Sequence, residues 1–73
     1  MYDEIARKIR EAARERNKMG MFHFQVLINA KQLEDVNPTD FCRAVGVPDS
    51  FTVEFRKMLN VAKTMNDQEK RIV

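Results

Sequence analysis

The chain has 73 residues, of which 44% are hydrophobic, a length that suits one small domain. Thirteen lysines and arginines stand against eleven aspartates and glutamates, which leaves a formal net charge of +2. This near-neutral balance excludes a protein that binds nucleic acid through bulk positive charge. The charge is also spread evenly, since residues 1–36 carry seven cations and six anions and residues 37–73 carry six and five. A site for an anionic partner must therefore come from a local cluster of cations.

Several function classes lack their characteristic residues. A single cysteine permits no internal disulfide, and neither a signal peptide nor an apolar run of membrane-spanning length is present, so we expect a cytoplasmic protein with no membrane partner. One histidine and one cysteine, His23 and Cys42, lack a third group that would orient a nucleophile or complete a metal site. Two glycines are too few for a phosphate-binding loop. We therefore expect no enzyme, no metal and no cofactor.

The first predicted helix runs from Tyr2 or Asp3 to about Lys18 and ends at Gly20. Its apolar stripe is narrow and consists of Tyr2, Ile5, Ala6, Ile9, Ala12 and Ala13. Three arginines, Arg7, Arg10 and Arg14, follow one flank of that stripe and are candidate phosphate contacts. The alternative interpretation is that they only form a solvated helix edge.

The segment from Met21 to Leu33 is apolar on every side when it is wound as a helix, which predicts a central helix packed all round by neighbours. The same residues alternate as a strand, with Phe22, Phe24, Val26 and Ile28 on one face. No other segment has a convincing strand pattern, and a lone strand leaves its backbone amides unpaired. The helix is therefore the favoured interpretation.

As a strand, this segment would need a partner from a second copy of the chain, as in the ribbon-helix-helix regulators, whose paired strands enter the major groove of DNA. His23, Gln25 and Asn29 would then contact the bases. Met21 and Leu27 would share that face, which makes it unusually apolar for the purpose. The simpler expectation for His23 is a partly buried imidazole with a satisfied hydrogen bond.

A tight turn between two helices is predicted after Asn37. The apolar, small and glycine positions of this turn are Phe41, Cys42, Val45, Gly46 and Val47. The small side chain of Cys42 lets two helices approach, and Gly46 ends the first helix in a left-handed backbone conformation. Pro48 then stops that helix, and Asp49 or Ser50 is expected to cap the next one. The pattern predicts a short helix, a tight turn and a longer helix.

The stretch from Phe41 to Phe55 resembles the helix-turn-helix family of transcription regulators. The family pattern is apolar, small, two unrestricted positions, apolar, glycine, apolar, and then an apolar residue early in the recognition helix. The first half matches, whereas in the second half the early apolar position falls on Thr52, between Phe51 and Val53. This departure implies a turn that is shifted or longer by one residue. The resemblance implies an all-helical fold and DNA binding through the second helix of the motif.

That second helix has one apolar and one polar face. The apolar stripe, expected to face the core, contains Phe51, Phe55, Met58, Ala62 and Met65, with Leu59 at its edge. On the opposite face, Arg56 suits a bidentate contact to guanine, Asn60 one to adenine, and Val53 a thymine methyl group. Phosphate contacts are expected from Lys57 and Lys63. Ser50 and Thr64 complete the predicted DNA-binding residues, and the alternative interpretation is an ordinary solvated helix face.

We therefore expect an all-α, four-helix domain over residues 1–73, with N-terminal helices in 1–36, the helix-turn-helix in 37–65 and a loose tail in 66–73. Surplus apolar residues predict a homodimer, which also matches the two-fold symmetry of many DNA sites. Two functions remain open. The turn and the cationic face favour a regulator that binds double-stranded DNA, and the near-neutral charge favours a protein-interaction module, such as an inhibitor of a transcription factor.

Overall fold

The computed structural model describes the backbone of residues 1–72 and the side chains of residues 1–69. It contains α1 (Tyr2–Arg14), α2 (Lys18–Ile28), α3 (Ala30–Leu33), α4 (Pro38–Ala44) and α5 (Thr52–Ile72), with one 3₁₀ turn (Asp49–Phe51) before α5. No strand occurs within residues 1–72, which confirms the predicted all-α class. The number of α-helices is five rather than four, because one short helix, α3, was not separated from its neighbour by the sequence pattern.

The end of α1 was predicted wrongly. The helix stops at Arg14, and Gly20 lies inside α2 instead of ending α1. The turn is closed by two backbone hydrogen bonds, in which the amide of Asn17 donates to the carbonyl of Ala12 and that of Arg16 to Ala13. Arg16 takes the left-handed conformation, with φ of 59°, that glycine usually supplies. A non-glycine residue at this position gives no sequence signal for a helix end.

The Met21–Ile28 segment is helical, so the helix prediction is confirmed and the strand alternative is wrong. The expectation that this helix is packed on all sides is also wrong, because Phe24 is 52% exposed and Ile28 is exposed beside it. Asn29 separates α2 from α3, and its side-chain amide donates to the carbonyl of Gln25 at 2.8 Å. The segment therefore buries one side in the core and leaves an apolar side uncovered.

The short helix α4 begins and ends as its residues predict. The side chain of Asn37 accepts a hydrogen bond from the amide of Asp40 at 3.1 Å, and Pro38 occupies the first turn, where its missing amide is not needed. At the other end Gly46 has φ of 77°. The amide of Val47 donates to Cys42 and that of Gly46 to Arg43, which is the Schellman pattern of helix termination.

The start and the end of α5 both differ from the prediction. Asp49 or Ser50 was expected to cap the helix, but both lie inside the 3₁₀ turn that leads into it. The capping position is Pro48, and its side chain makes no hydrogen bond there. A 3₁₀ turn follows, which accounts for the extra residue in the motif. The tail predicted to be loose from residue 66 continues the helix to Ile72, and Val73 lies outside the described residues.

The core is built around phenylalanines from three helices. Phe22, Phe41 and Phe55 are fully buried, and the ring of Phe41 lies 4.9 Å from Phe55, 6.0 Å from Phe22 and 5.4 Å from Tyr2. On α5, Phe55 is buried and Met58, Leu59 and Ala62 are partly buried, as predicted, and Phe51 of the 3₁₀ turn is also partly buried. Met65 is exposed, since α5 extends beyond the helices it packs against, so its assignment to the core was wrong.

Candidate nucleic-acid interface

Helices α4 and α5 and the turn between them form a compact unit. The rings of Phe41 and Phe55 join the two helices, and Cys42 is fully buried where they approach each other, as expected for a small core residue. Burial, with a smaller effect of Asp49, raises the pKa of the Cys42 thiol. This unit places the outer side of α5 against solvent.

That outer side carries the residues predicted to contact DNA. We use "outer face" for the exposed side of α5 formed by Val53, Arg56, Lys57, Asn60, Lys63 and Thr64. Their spacing of three and four residues aligns them along one side of the helix. Val53 is 60% exposed and is the apolar member of this face. Ser50 is exposed in the 3₁₀ turn, three residues before Val53.

Polar contacts on the outer face differ from residue to residue. The hydroxyl of Thr64 donates to the backbone carbonyl of Asn60 at 3.0 Å, so this hydroxyl is already engaged within the helix. The ammonium of Lys57 lies 3.1 Å from Glu54. Within the described residues, Arg56 and Lys63 form no ion pair, which leaves their charges available to a partner.

Glu54 connects the beginning of α5 to α2. One of its carboxylate oxygens accepts a hydrogen bond from the imidazole of His23 at 2.8 Å, and the other accepts from Lys57. These two contacts, first that of His23 and then that of Lys57, lower the pKa of Glu54 below its ordinary value of 4.5. His23 is therefore partly buried with its hydrogen bond satisfied, as predicted. No local pattern in the sequence identifies Glu54 as the partner of His23, although the spacing of Glu54 and Lys57 suits a helical ion pair.

The three arginines of α1 form a separate group. Arg7, Arg10 and Arg14 are exposed, and Arg7 pairs with Glu11 at 3.1 Å. Helix α1 packs against α2 and α4, and among the described residues it makes no contact with α5. The structure therefore does not bring these arginines together with the outer face into one surface.

Two further contacts hold the turn and were missed by the sequence analysis. The guanidinium of Arg43 on α4 donates to both carboxylate oxygens of Asp49, at 3.1 and 3.4 Å. The ammonium of Lys18 lies 5.6 Å from the centre of the Phe51 ring, which is a cation–π contact between α2 and the 3₁₀ turn. The first contact ties the end of α4 to the segment that leads into α5, and the second ties the start of α2 to it.

The part of the chain that the structure describes contains no group of three or more His, Cys, Asp or Glu side chains placed to hold a metal ion. Within the same residues, none of the helices is sufficiently long and apolar to cross a membrane.

A short helix, a left-handed glycine turn and a longer helix with an exposed polar face define a helix-turn-helix protein. The model of the HTH-like domain family matches residues 1–68. Because this match covers most of the 73 residues, the chain belongs to that family, and the family unit includes α1 to α3 as well as the motif. Neither the curated proteins nor the solved structures contain a match.

Proposed function

We propose that this protein binds double-stranded DNA through the outer face of α5 and regulates transcription. The observation that carries the proposal is the alignment of Arg56 and Lys63, which pair with no carboxylate among the described residues, with Asn60 and the exposed Val53. These residues lie on a helix that directly follows a helix-turn-helix turn. A helix in this position enters the major groove in DNA-binding members of the class.

The outer face offers both base and phosphate contacts. Arg56 suits the two acceptors of guanine, Asn60 the donor and acceptor of adenine, and Val53 the methyl group of thymine. Lys57 and Lys63 would contact phosphates, and Ser50 would contact the DNA backbone at the start of the face. Thr64 would do so at its end by turning its hydroxyl from the carbonyl of Asn60 to a phosphate. The arginines of α1 remain candidates for additional phosphate contacts on DNA that extends past α5.

We propose further that the protein acts as a homodimer. Phe24 and Ile28 expose apolar surface on the outer side of α2. Ile28 also borders a groove of about 670 Å³ between α2, α3 and α5. Asn60 and Lys63 of the outer face line this groove, so the second copy would cover the exposed side of α2 and leave the groove open. Exposed apolar surface of this kind favours association, and two-fold pairing would present two copies of α5 to a palindromic site.

A variant in the exposed side of α2 tests the dimer. Phe24→Asp places a charge in the proposed contact and should convert a dimer to a monomer in sedimentation velocity. Met65→Asp is the matched control, since Met65 is similarly exposed but lies on α5 rather than on α2. Equal behaviour of the two variants would contradict a dimer through α2.

The second candidate function is a protein-interaction module built on the same scaffold. The near-neutral charge and the exposed apolar Val53 favour it, because an apolar residue at the centre of an exposed face suits a protein partner as well as a thymine methyl group. Under this alternative, Val53→Asp would abolish a protein complex and leave the fold unchanged.

Selection from random DNA tests the main proposal. The purified protein is mixed with a pool of random duplexes at several salt concentrations, and the DNA that stays bound near physiological salt is sequenced. We expect enrichment of a two-fold symmetric sequence, with Arg56→Ala losing preference at one position of it. Weak binding that disappears with added salt and enriches nothing would contradict the proposal and favour the interaction module.

A further inference from the structure

Glu54 differs from every other ion-paired carboxylate among the described residues. Its side chain is only 21% exposed, whereas those of Glu4, Glu11 and Asp49 are 64%, 59% and 58% exposed. It is also held from two sides, by His23 of α2 at 2.8 Å and by Lys57 of α5 at 3.1 Å. This carboxylate is therefore fixed in place beside the outer face.

The position of Glu54 affects how Lys57 can meet a phosphate. The side chain of Lys57 is 57% exposed and belongs to the outer face, but its ammonium is directed to the Glu54 carboxylate. A phosphate that approaches this ammonium must replace a negative charge that is already bound, and it is repelled by that charge while it approaches. Arg56 and Lys63, which form no ion pair in the described part of the chain, face no such competition.

We propose that Glu54 restrains the phosphate affinity of the DNA-binding face and that His23 is the residue that positions it. Held by His23, Glu54 restrains Lys57 and weakens binding to phosphates alone. Lys57 moves to a phosphate only when Arg56 and Asn60 have engaged matching base edges and have drawn α5 into the groove. The cost of separating Lys57 from Glu54 lowers the affinity for every sequence, and only a duplex whose bases also engage Arg56 and Asn60 binds tightly enough to offset it.

His23 is needed because a Glu–Lys pair three residues apart is weak on an isolated helix. Such a pair would separate easily and would not restrain Lys57. The imidazole of His23 orients one carboxylate oxygen from α2, and the other oxygen is then directed at Lys57. The sequence separation of 31 residues between His23 and Glu54 makes this a tertiary contact rather than a local helix effect.

The test compares two variants that remove the same charge in different places. Glu54→Gln releases Lys57, and Glu4→Gln is the control, because Glu4 also pairs with a lysine, at 3.5 Å, but lies on α1, which does not touch α5. Affinity for a short duplex of random sequence is measured for each over a KCl series. We expect Glu54→Gln to bind severalfold more tightly than Glu4→Gln, with a salt slope steeper by about 1. Equal affinities and slopes would overturn the proposal.

A double variant shows whether the gain is due to Lys57. Adding Lys57→Gln to Glu54→Gln should return the salt slope to that of the unmodified protein, whereas Lys57→Gln alone should change binding to random DNA little. A gain that persists in the double variant would contradict the restraint on Lys57. On DNA enriched by selection, Lys57→Gln alone should weaken binding, since there the lysine is released.

Two variants at His23 test its positioning role. His23→Ala should raise the affinity for random DNA part of the way towards that of Glu54→Gln. The amide of His23→Gln can still donate to the carboxylate, so this variant should keep the salt slope of the unmodified protein. A purely structural role of His23 would lower the midpoint of thermal unfolding in both variants and leave the salt slope unchanged, which would overturn this part of the proposal.

This inference rests on the proposed function, and the two can fail separately. If the unmodified protein enriches no DNA sequence, the proposed function fails. The restraint on Lys57 is then tested by salt elution of the same variants from immobilised heparin, a sulfated polyanion. Later elution of Glu54→Gln than of Glu4→Gln supports the restraint, and equal elution overturns it.

Discussion

The turn after α1 and the turn after α4 close with the same pair of backbone hydrogen bonds but use different residues. Gly46 occupies the left-handed position after α4, and Arg16 occupies it after α1. The residue that follows is the buried Val47 in the α4 turn and the exposed Asn17 in the α1 turn. The turn after α4 therefore has an unstrained backbone and an apolar contact, whereas the turn after α1 has neither.

This difference extends to the helix pairs that the turns join. The pair α4–α5 has a buried aromatic contact between its helices and an exposed polar outer face on α5. The pair α1–α2 contributes to the same core but leaves apolar side chains of α2 in solvent. We interpret the first pair as the DNA-binding unit, held at a fixed angle, and the second as the support that also provides a surface for a second copy.

The largest expected difference concerns one phenylalanine from each pair. Phe41→Ala should destabilise the fold by about 3 to 5 kcal/mol, because a fully buried ring that contacts three other aromatic residues is removed. Phe24→Ala should change stability by less than about 0.5 kcal/mol in the monomer, since Phe24 is half exposed. Urea unfolding at low protein concentration measures both, and similar losses would contradict the assignment of the core.

Arginines on the two pairs provide the next comparison. Arg56→Ala on α5 should weaken binding to selected DNA by about 1 to 3 kcal/mol and relax the preference at one base pair. Arg10→Ala on α1 removes the same charge and should reduce binding only slightly and equally for all sequences. Fluorescence anisotropy with matched and mutated duplexes separates the two effects. A larger loss for Arg10→Ala would move the interface to α1.

Substitutions in the turns should have smaller effects of opposite sign. Gly46→Ala should destabilise by about 1 to 2 kcal/mol, because a side chain resists φ of 77°. The added methyl group would meet no atom within 4 Å, so the loss reflects the backbone alone. Arg16→Gly should stabilise by up to about 1 kcal/mol by removing the strain at φ of 59°. Thermal unfolding of both variants measures the difference, and a destabilising Arg16→Gly would show that the Arg16 side chain has a role of its own.

The smallest expected effect concerns the contact between α2 and α5, which links the two pairs. His23 and Lys57 lower the pKa of Glu54 below 4.5, so the ionised carboxylate stabilises the fold above pH 4.5, and this contribution is lost as the pH falls through the lowered pKa. The midpoint of thermal unfolding should therefore be lower in Glu54→Gln at neutral pH and should approach that of the unmodified protein in acid. A difference that stays constant with pH would contradict the role of the ionised carboxylate.

Local patterns in the sequence predicted much of the fold. Helical periodicity indicated α1, the middle helix and α5, and the cap at Asn37 and the turn at Gly46 indicated α4. The end of α1 was missed because Arg16 does not indicate a left-handed turn. Helical periodicity also predicted that Met65 lies in the core, whereas its side chain is exposed. Periodicity along one helix does not show where that helix extends beyond the helices it packs against.

The candidate site was predicted less completely. Exposure of the outer face follows from the period of α5, so its members could be named from the sequence alone. The contact of His23 with Glu54 joins residues 31 positions apart and depends on how α2 packs against α5, which no local pattern contains. The separation of the α1 arginines from the outer face also depends on packing, because charge spacing along one helix does not show which other helix lies nearby.

The most direct test of the central claim is a map of the DNA-contacting residues by NMR. Amide chemical shifts of the labelled protein are followed as a duplex is added, with DNA from the selection experiment or, if none is enriched, a random duplex at low salt. We predict that the changes concentrate between Ser50 and Thr64, with α1 little affected. Changes centred on α1, or none along α5, would contradict DNA binding by the outer face.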